Sequence, residues 1–303
     1  MKKISIVVVV YEKELNELLL LLKSIDIYFD LSTLEGIHIA VQESMRDFSF
    51  MLNKLVPELF PNLSNQILIY SQLDLISDSF GRPGWYVQQA LKIKTSTIIK
   101  GQYALVLDCK NHFVNHTTSA DFFENELPLY LFSSEAAKFS SSSSILADNF
   151  VKAFEIFDLD YRNFIDKALG SLTPFIFRKD QLIEMVSFIE SRFANSDFYE
   201  LFLTTLNTAE FYLYTAFLHK TGEYPNSIAE RKVWISAVLW ESNVKDMNYI
   251  NWVISLIQAN QVKMFGIHKN CYGKISPDVC NAIEHLWLNK NLCNEYSKYI
   301  VSQ

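Results

Sequence analysis

Over the first third of the chain, short apolar runs alternate with stretches whose apolar residues recur at helical spacing. The runs are Ile4 to Val10, Ile37 to Val41, Ile67 to Tyr70 and Tyr103 to Leu107. Continuous β-branched runs of this length predict strands buried on both faces, because a strand with one wet face would alternate with polar residues. Between them, Leu15 to Ile25 and Phe48 to Leu55 carry the helical period, and Tyr86 to Ile99 reads as a helix opened by Arg82-Pro83-Gly84. Strands alternating with helices predict an α/β fold: a mostly parallel sheet whose right-handed crossovers place helices on both faces. An apolar run, Leu129 to Phe132, and the polar stretch Ser140 to Ser144 follow. That stretch fits either a loop over a binding cleft or a plain surface loop. From Phe150 onward the pattern is mostly helical, clearest over Gln181 to Phe193, Tyr199 to Leu218, Ser227 to Trp240 and Tyr249 to Ala259. No repeat or linker divides the chain, so one continuous fold with a helical C-terminal part is expected.

Composition narrows the function classes. Half of the 303 residues are hydrophobic, enough for a sizeable core. A net charge of −7 argues against bulk nucleic-acid binding, which needs a basic surface. The four cysteines, Cys109, Cys271, Cys280 and Cys293, match neither a disulfide framework nor a paired zinc spacing, so a cytoplasmic setting is expected. The N-terminus superficially mimics a signal peptide, two lysines before an apolar run. That run is short and β-branched and breaks at Tyr11-Glu12-Lys13-Glu14, as a buried first strand would. Nothing approaches the ~20 apolar residues of a membrane span, so membrane contact, if any, is expected to be peripheral. His285-Leu286-Trp287-Leu288 is the candidate for that contact, and reads equally well as part of a core helix.

The candidate chemistry gathers at strand ends. Asp108, at the carboxyl end of the fourth run, faces a cleft if the sheet is parallel, or caps the next turn. The helix from Trp85 to Thr97 holds Trp85, Gln88, Gln89 and Lys92 within two turns, with Gln88 and Lys92 on one face. Amides suit sugar hydroxyls and an ammonium suits phosphate, while Trp85 serves equally as core packing. Arg82, just before this helix, is placed to reach a phosphate. Glu210 sits among apolar and aromatic neighbours, which raises its pKa and suits a general base, or a buried structural ion pair. Tyr11, after the first strand, can stack on a nucleotide base. Gln42 and Glu43, after the second, can contact base or ribose. His112 and His116 make a poor zinc signature and read as loop residues.

Gly84-Trp85-Tyr86-Val87-Gln88-Gln89-Ala90-Leu91-Lys92, then a strand ending Asp108-Cys109-Lys110-Asn111, then Ala209-Glu210-Phe211, form an ordered set of motifs. Together with Thr173-Pro174, read as opening a helix, and Phe265-Gly266-Ile267-His268, they resemble a family of bacterial polysaccharide glycosyltransferases. In that family Gly-Trp-x-x-Gln-Gln-x-x-Lys precedes an Asp-x-Asp element. The resemblance spans most of the chain and implies a GT-A-like, Rossmann-like fold. Residues 1–125 would form the nucleotide-sugar-binding half and residues 126–303 the acceptor-binding, helical half. It implies transfer of a hexose from a UDP-sugar, with inversion, onto a surface polysaccharide (capsule or O-antigen) or lipid-linked glycan, at the inner face of the cell membrane or free in the cytoplasm. Glu210 is then the catalytic base. Tyr11, Gln42, Arg82, Trp85, Gln88, Gln89, Lys92, Asp108, Lys110, His268 and Lys269 are the donor-binding set.

The Asp-x-Asp element of such enzymes holds Mn²⁺ or Mg²⁺ against the donor diphosphate. Here Lys110 stands at the second aspartate. Two arrangements follow: a weak metal site from Asp108, Asn111 and His268, or direct charge compensation by the lysine. The altered element also admits a degenerate transferase that binds nucleotide sugar or glycan without turnover. A nucleotidyltransferase would share the layout but begins with a glycine-rich phosphate loop, and Tyr11 to Leu15 holds no glycine.

Overall fold

The computed structural model describes residues 2–43, 45–76, 78–82, 84–130, 145–167, 169–231 and 233–293. The four runs form β1 (Ile4–Val10), β2 (Leu34–Val41), β3 (Ile67–Ser71) and β4 (Tyr103–Asp108). Shorter strands follow: β5 (Asn111–Phe113), β6 (Phe123–Glu124), β7 (Leu127–Tyr130), β8 (Phe175–Arg178), β9 (Ala229–Glu230), β10 (Ser236–Leu239) and β11 (Met264–Ile267). The main sheet has the order β3-β2-β1-β4-β8, parallel except for β8, which runs antiparallel to β4. Every residue of β1 is buried, as the run of apolar residues predicts for a central strand covered on both faces.

Helix α1 (Leu15–Tyr28) buries five successive leucines, Leu18 to Leu22, which a one-sided helix would not do. It lies between two cores: Leu18, Leu19, Leu21 and Leu22 pack with the main sheet, and Leu20 packs with a second cluster. That cluster belongs to a small sheet of order β10-β11-β5, with the helices Met247–Gln258 and Pro277–Asn289 contributing Val253, Ile283 and Trp287. The remaining long helices are α2 (Asp47–Leu59), α3 (Gly84–Ile98), α4 (Ile145–Glu155), α5 (Lys179–Arg192), α6 (Glu210–Thr221), α7 (Met247–Gln258) and α8 (Pro277–Asn289).

Topology brings three chain segments to one point. Only Cys109 and Lys110 separate β4 from β5, although the two strands belong to different sheets. The chain therefore crosses between sheets at Asp108 to Asn111. β11 runs antiparallel to β5 with Gly266 opposite Asn111, so its carboxyl end delivers His268 beside the crossing. β8 pairs Phe175 with Val106, which brings Thr173 against the end of β4.

Several elements differ from expectation. Residues 227–240 are not a helix: they hold β9 and β10, and Ile235, Ala237 and Leu239 are buried at the two-residue period of a strand paired to β11. The pattern 199–218 is broken. A short helix (Phe198–Leu201) and a π-helical turn (Phe202–Leu206) end at Asn207, which is left-handed with φ 47°, and α6 starts afresh at Glu210. Asparagine tolerates that conformation, and its amide nitrogen bonds the Thr205 carbonyl at 3.1 Å. Thr173-Pro174 opens strand β8 rather than a helix. In the run Leu129 to Phe132, Leu129 and Tyr130 belong to β7. The rest of that run and the stretch Ser140 to Ser144 lie outside the described residues.

Candidate functional site

In the order β3-β2-β1-β4 the sheet reverses its winding between β1 and β4, and open α/β sheets bind ligands beyond the strand carboxyl ends at such a point. An open cleft of about 210 Å³ lies there, with Asp108, Lys92, Lys110 and Glu210 in its walls. Asp108 Oδ1 accepts from Lys92 Nζ at 2.8 Å. Its Oδ2 accepts from Lys110 Nζ and lies 2.9 Å from the Thr173 hydroxyl. Lys92 also reaches Glu210 Oε1 at 3.4 Å and lies over the Phe211 ring.

The helices explain this meeting. Gln89 and Lys92 are one turn apart on α3; Gln89 Oε1 accepts from the Glu210 backbone N–H at 3.1 Å and so caps the start of α6. Because residues 210–218 are all buried, α6 runs through the core with Glu210 at its mouth. The Glu210 carboxylate is therefore in the first turn of a helix, where the dipole favours its charge, not mid-helix as the sequence pattern suggested.

The electrostatics are coupled. Burial raises the pKa of Glu210, and Lys92 only partly offsets this. Burial also pushes Asp108 upward, but the ammonium groups of Lys110 and Lys92 outweigh it and hold the carboxyl well below the usual range. Lys92 loses basicity to burial and regains more from Asp108 and Glu210, so it stays charged. Glu14, at the start of α1, is pushed up to about 7 by burial and by the charges of Asp108 and Glu17.

Of the residues singled out from the sequence, Trp85, Gln88, Gln89, Lys92, Asp108, Lys110, Glu210, His268 and Lys269 all line the cleft. His268 stacks on Trp240, with ring centroids 4.7 Å apart, and its Nδ1 accepts from the Asn270 N–H. Tyr11 stands at the rim, its ring 5.7 Å from Lys269 Nζ. Arg82 is not in the cleft: its guanidinium lies over Tyr86, one helical turn on, and bonds Asn207 Oδ1 at 2.5 Å. It ties the entry of α3 to the break before α6. Gln42 bonds the Gly84 carbonyl, and Glu43 accepts from the N–H groups of Phe48 and Ser49, so Glu43 caps α2 and both serve the scaffold. Asn111 is fully buried. Its amide donates to Ser236 Oγ at 3.0 Å, and its oxygen lies 3.1 Å from the Thr173 hydroxyl. It does not face the cleft with Asp108 and His268, so those three do not assemble as a ligand set. Among the described residues no three His, Cys, Asp or Glu side chains gather as one.

Sequence reasoning missed Glu14, Glu17, Thr173 and Tyr272, all of which line the cleft. Glu17 accepts from the Tyr272 hydroxyl at 2.5 Å, a contact across 255 positions that no local pattern announces. A glutamate amid leucines in α1 was the available signal. His112 is a strand residue rather than a loop one: buried in β5, it accepts from Trp287 Nε1 at 2.7 Å. Leu286 and Trp287 are likewise core residues of α8. Of the segment considered for membrane contact, Leu288 is the large apolar side chain left exposed. Among the described residues, no helix is long and apolar enough to cross a membrane.

Residues 1–263 match a family described as "Family of unknown function (DUF6492)". No curated protein matches the sequence. Among solved structures, the apo form of the bifunctional glycosyltransferase WbbM aligns with a TM-score of 0.53 and 12% identity, over 98% of this chain and 52% of that one. The chain thus spans about half the length of WbbM. The galactosyltransferase LgtC, in complex with donor and acceptor sugar analogues, aligns at 0.48 and 9% identity, over 94% of this chain and 99% of that one. GlyE of Streptococcus pneumoniae TIGR4, a glycosyltransferase in its apo form, aligns at 0.44 and 10%, over 99% of this chain and 62% of that one. The architecture expected from the sequence is the one observed: a mostly parallel sheet flanked by helices, a fold shared with WbbM.

Proposed function

We propose, for a chain that belongs to the DUF6492 family, that it is a glycosyltransferase moving a hexose from a UDP-sugar to a glycan acceptor, with inversion. The observation that carries this reading is the cleft at the switch point between β1 and β4, where Asp108, two lysines and the buried Glu210 converge. The fold shared with WbbM supports it, as does the motif order from Trp85 to Glu210.

In this reading the uracil lies toward Tyr11 and the diphosphate toward Lys110 and Lys269. Glu210 takes the proton of an acceptor hydroxyl as that oxygen bonds to the anomeric carbon. The bond from that carbon to the phosphate oxygen breaks, and its electron pair leaves with the nucleoside diphosphate. A carboxylate with a raised pKa suits that proton transfer, and Lys92 keeps the spent acid in place. Trp85 and Leu172, both more than a third exposed at the cleft, offer an apolar wall for a sugar face. A surface polysaccharide or lipid-linked glycan is the acceptor class proposed, met in the cytoplasm or at the inner face of the membrane.

The test is release of nucleoside diphosphate from a panel of nucleotide sugars offered with oligosaccharide acceptors. Glu210→Gln should lower turnover by about 10²- to 10⁴-fold while leaving nucleotide binding intact. Binding without turnover of any donor would replace this reading with that of a nucleotide-sugar-binding protein, which the doubly paired Asp108 also suits.

A further inference from the structure

The geometry points to a metal-free diphosphate site, in which Lys110 and Lys269 take the place that a divalent cation holds in Asp-x-Asp enzymes. This inference rests on the proposed donor chemistry and specifies how the donor's charge is met. The residues present do not fit a cation. Both oxygens of Asp108 already carry ammonium partners, Lys92 on Oδ1 and Lys110 on Oδ2, and Thr173 adds a hydroxyl to Oδ2. A dication arriving at Asp108 would meet two positive charges within bonding range of the same carboxylate. The side chains that could complete its shell are engaged or few. Asn111 is buried with its amide bonded to Ser236, and His268 keeps Nε2 alone, since its Nδ1 accepts from Asn270.

The same arrangement suits an anion. Lys92 is nearly buried between Asp108 and Glu210 and serves as their counter-charge. Lys110 is more accessible, with 19% of its side chain exposed, and Lys269 is exposed on the adjoining turn after β11. A rotamer change of Lys110 carries its ammonium from Asp108 to a phosphate oxygen without moving the backbone. Asp108 then acts as the resting partner that keeps the ammonium aimed into the cleft until the diphosphate arrives. Lys92 continues to neutralise it afterwards.

The experiment is calorimetric binding of inorganic pyrophosphate and of UDP, GDP, CDP, dTDP and ADP to the full chain, each in excess EDTA and again with millimolar Mn²⁺. Pyrophosphate and at least one nucleotide should bind equally well in both buffers. Lys110→Met should weaken each by about ten- to a hundredfold, the loss of one charge-assisted hydrogen bond. Lys269→Ala, at an exposed position where folding is not at stake, should weaken both in the same direction. Nucleotide binding that appears only with Mn²⁺ would overturn the inference and leave the transferase reading standing. Metal-free binding of pyrophosphate, with no nucleotide adding affinity, would uphold the anion site and overturn the nucleotide-sugar reading. Silence toward every probe in both buffers would overturn both.

Discussion

Lys92 is where the site and the stability of the fold meet, and replacing it tests both. Its ammonium is 2.8 Å from Asp108 and 3.4 Å from Glu210, with side-chain exposures of 11%, 32% and 5% respectively. Lys92→Met keeps much of the volume and removes the charge. Asp108 retains Lys110, Thr173 and partial contact with water, so its loss is small. Among the described residues Glu210 has no other ion-pair partner and is left charged in the core. Breaking one partner of a buried pair costs roughly 3–5 kcal/mol, and the long 3.4 Å contact places this case near the lower end, about 3 kcal/mol at pH 8. The sign of the pH dependence follows. Glu210 already has a pKa above its ordinary 4.5, and without Lys92 it rises further. A carboxyl whose folded pKa is raised binds its proton more tightly when folded, so the fold loses stability as pH rises from 4.5 through the folded value. The deficit should therefore be small near pH 5 and full at pH 8 in urea denaturation. The double variant Lys92→Met with Glu210→Gln should recover most of it. A deficit equal at both pH values, or one that Glu210→Gln leaves untouched, would refute the argument that Glu210 is the charge Lys92 compensates.

Two further perturbations probe the cleft walls. Glu14→Gln removes a carboxyl pushed up to about 7 by burial, Asp108 and Glu17. The wild type should lose stability relative to the variant as pH rises from 4.5 through 7, by at most about 3 kcal/mol before solvent screening. Parallel pH–stability curves would show that Glu14 is not so placed. Gly266→Ala sets a methyl 2.8 Å from the Lys110 backbone oxygen across the β11–β5 pair, closer than such contacts tolerate. Thermal melts should show about 1–3 kcal/mol of destabilisation, and the folded fraction should bind pyrophosphate more weakly because Lys110 is displaced. An unchanged melt would mean that the strands separate freely there.

How much of this was legible depended on the range of the interactions involved. The strands β1, β2 and β4 announce themselves because burial on both faces demands nearly uninterrupted apolar residues, and Asp108 follows from the end of the last one; β3 carries an apolar run too, but it is an edge strand and leaves Leu68 exposed. Helical spacing put Gln88 and Lys92 on one face of a helix, and the motif resemblance added Gln89 to the set. The strands β5, β10 and β11 were not: each has three or four residues, and their apolar positions satisfy helical and strand templates equally over so short a span. Arg82 was read as a ligand contact because charge beside a helix start suits phosphate, and Glu43 because the end of a parallel strand faces a ligand. The same positions suit stacking on Tyr86 and capping of α2, and local geometry favoured those. Glu17 and Tyr272 meet across nearly the whole chain, so only the assembled second sheet could reveal them.

That second sheet is what completes the cleft at the carboxyl end of β4. β5 begins one residue after Lys110, so whatever fixes β5 fixes the lysine. His112 in β5 is buried, and desolvation pushes its pKa down to about 3, so it stays neutral. It accepts from Trp287 of α8 through Nε2, which leaves its ring proton on Nδ1. α8 is therefore hydrogen-bonded to β5 two residues beyond the lysine that meets Asp108. Gly266 lets β11 approach the Lys110 backbone carbonyl, and the strand then delivers His268 and Lys269 to the rim. The cation-bearing side of the cleft is thus built by elements more than 120 residues away in sequence, whereas the carboxylate and glutamine side comes from β4, α3 and the start of α6. Under the proposed function, a perturbation of the second sheet should act on phosphate affinity first, and one of α3 or α6 on turnover through Glu210.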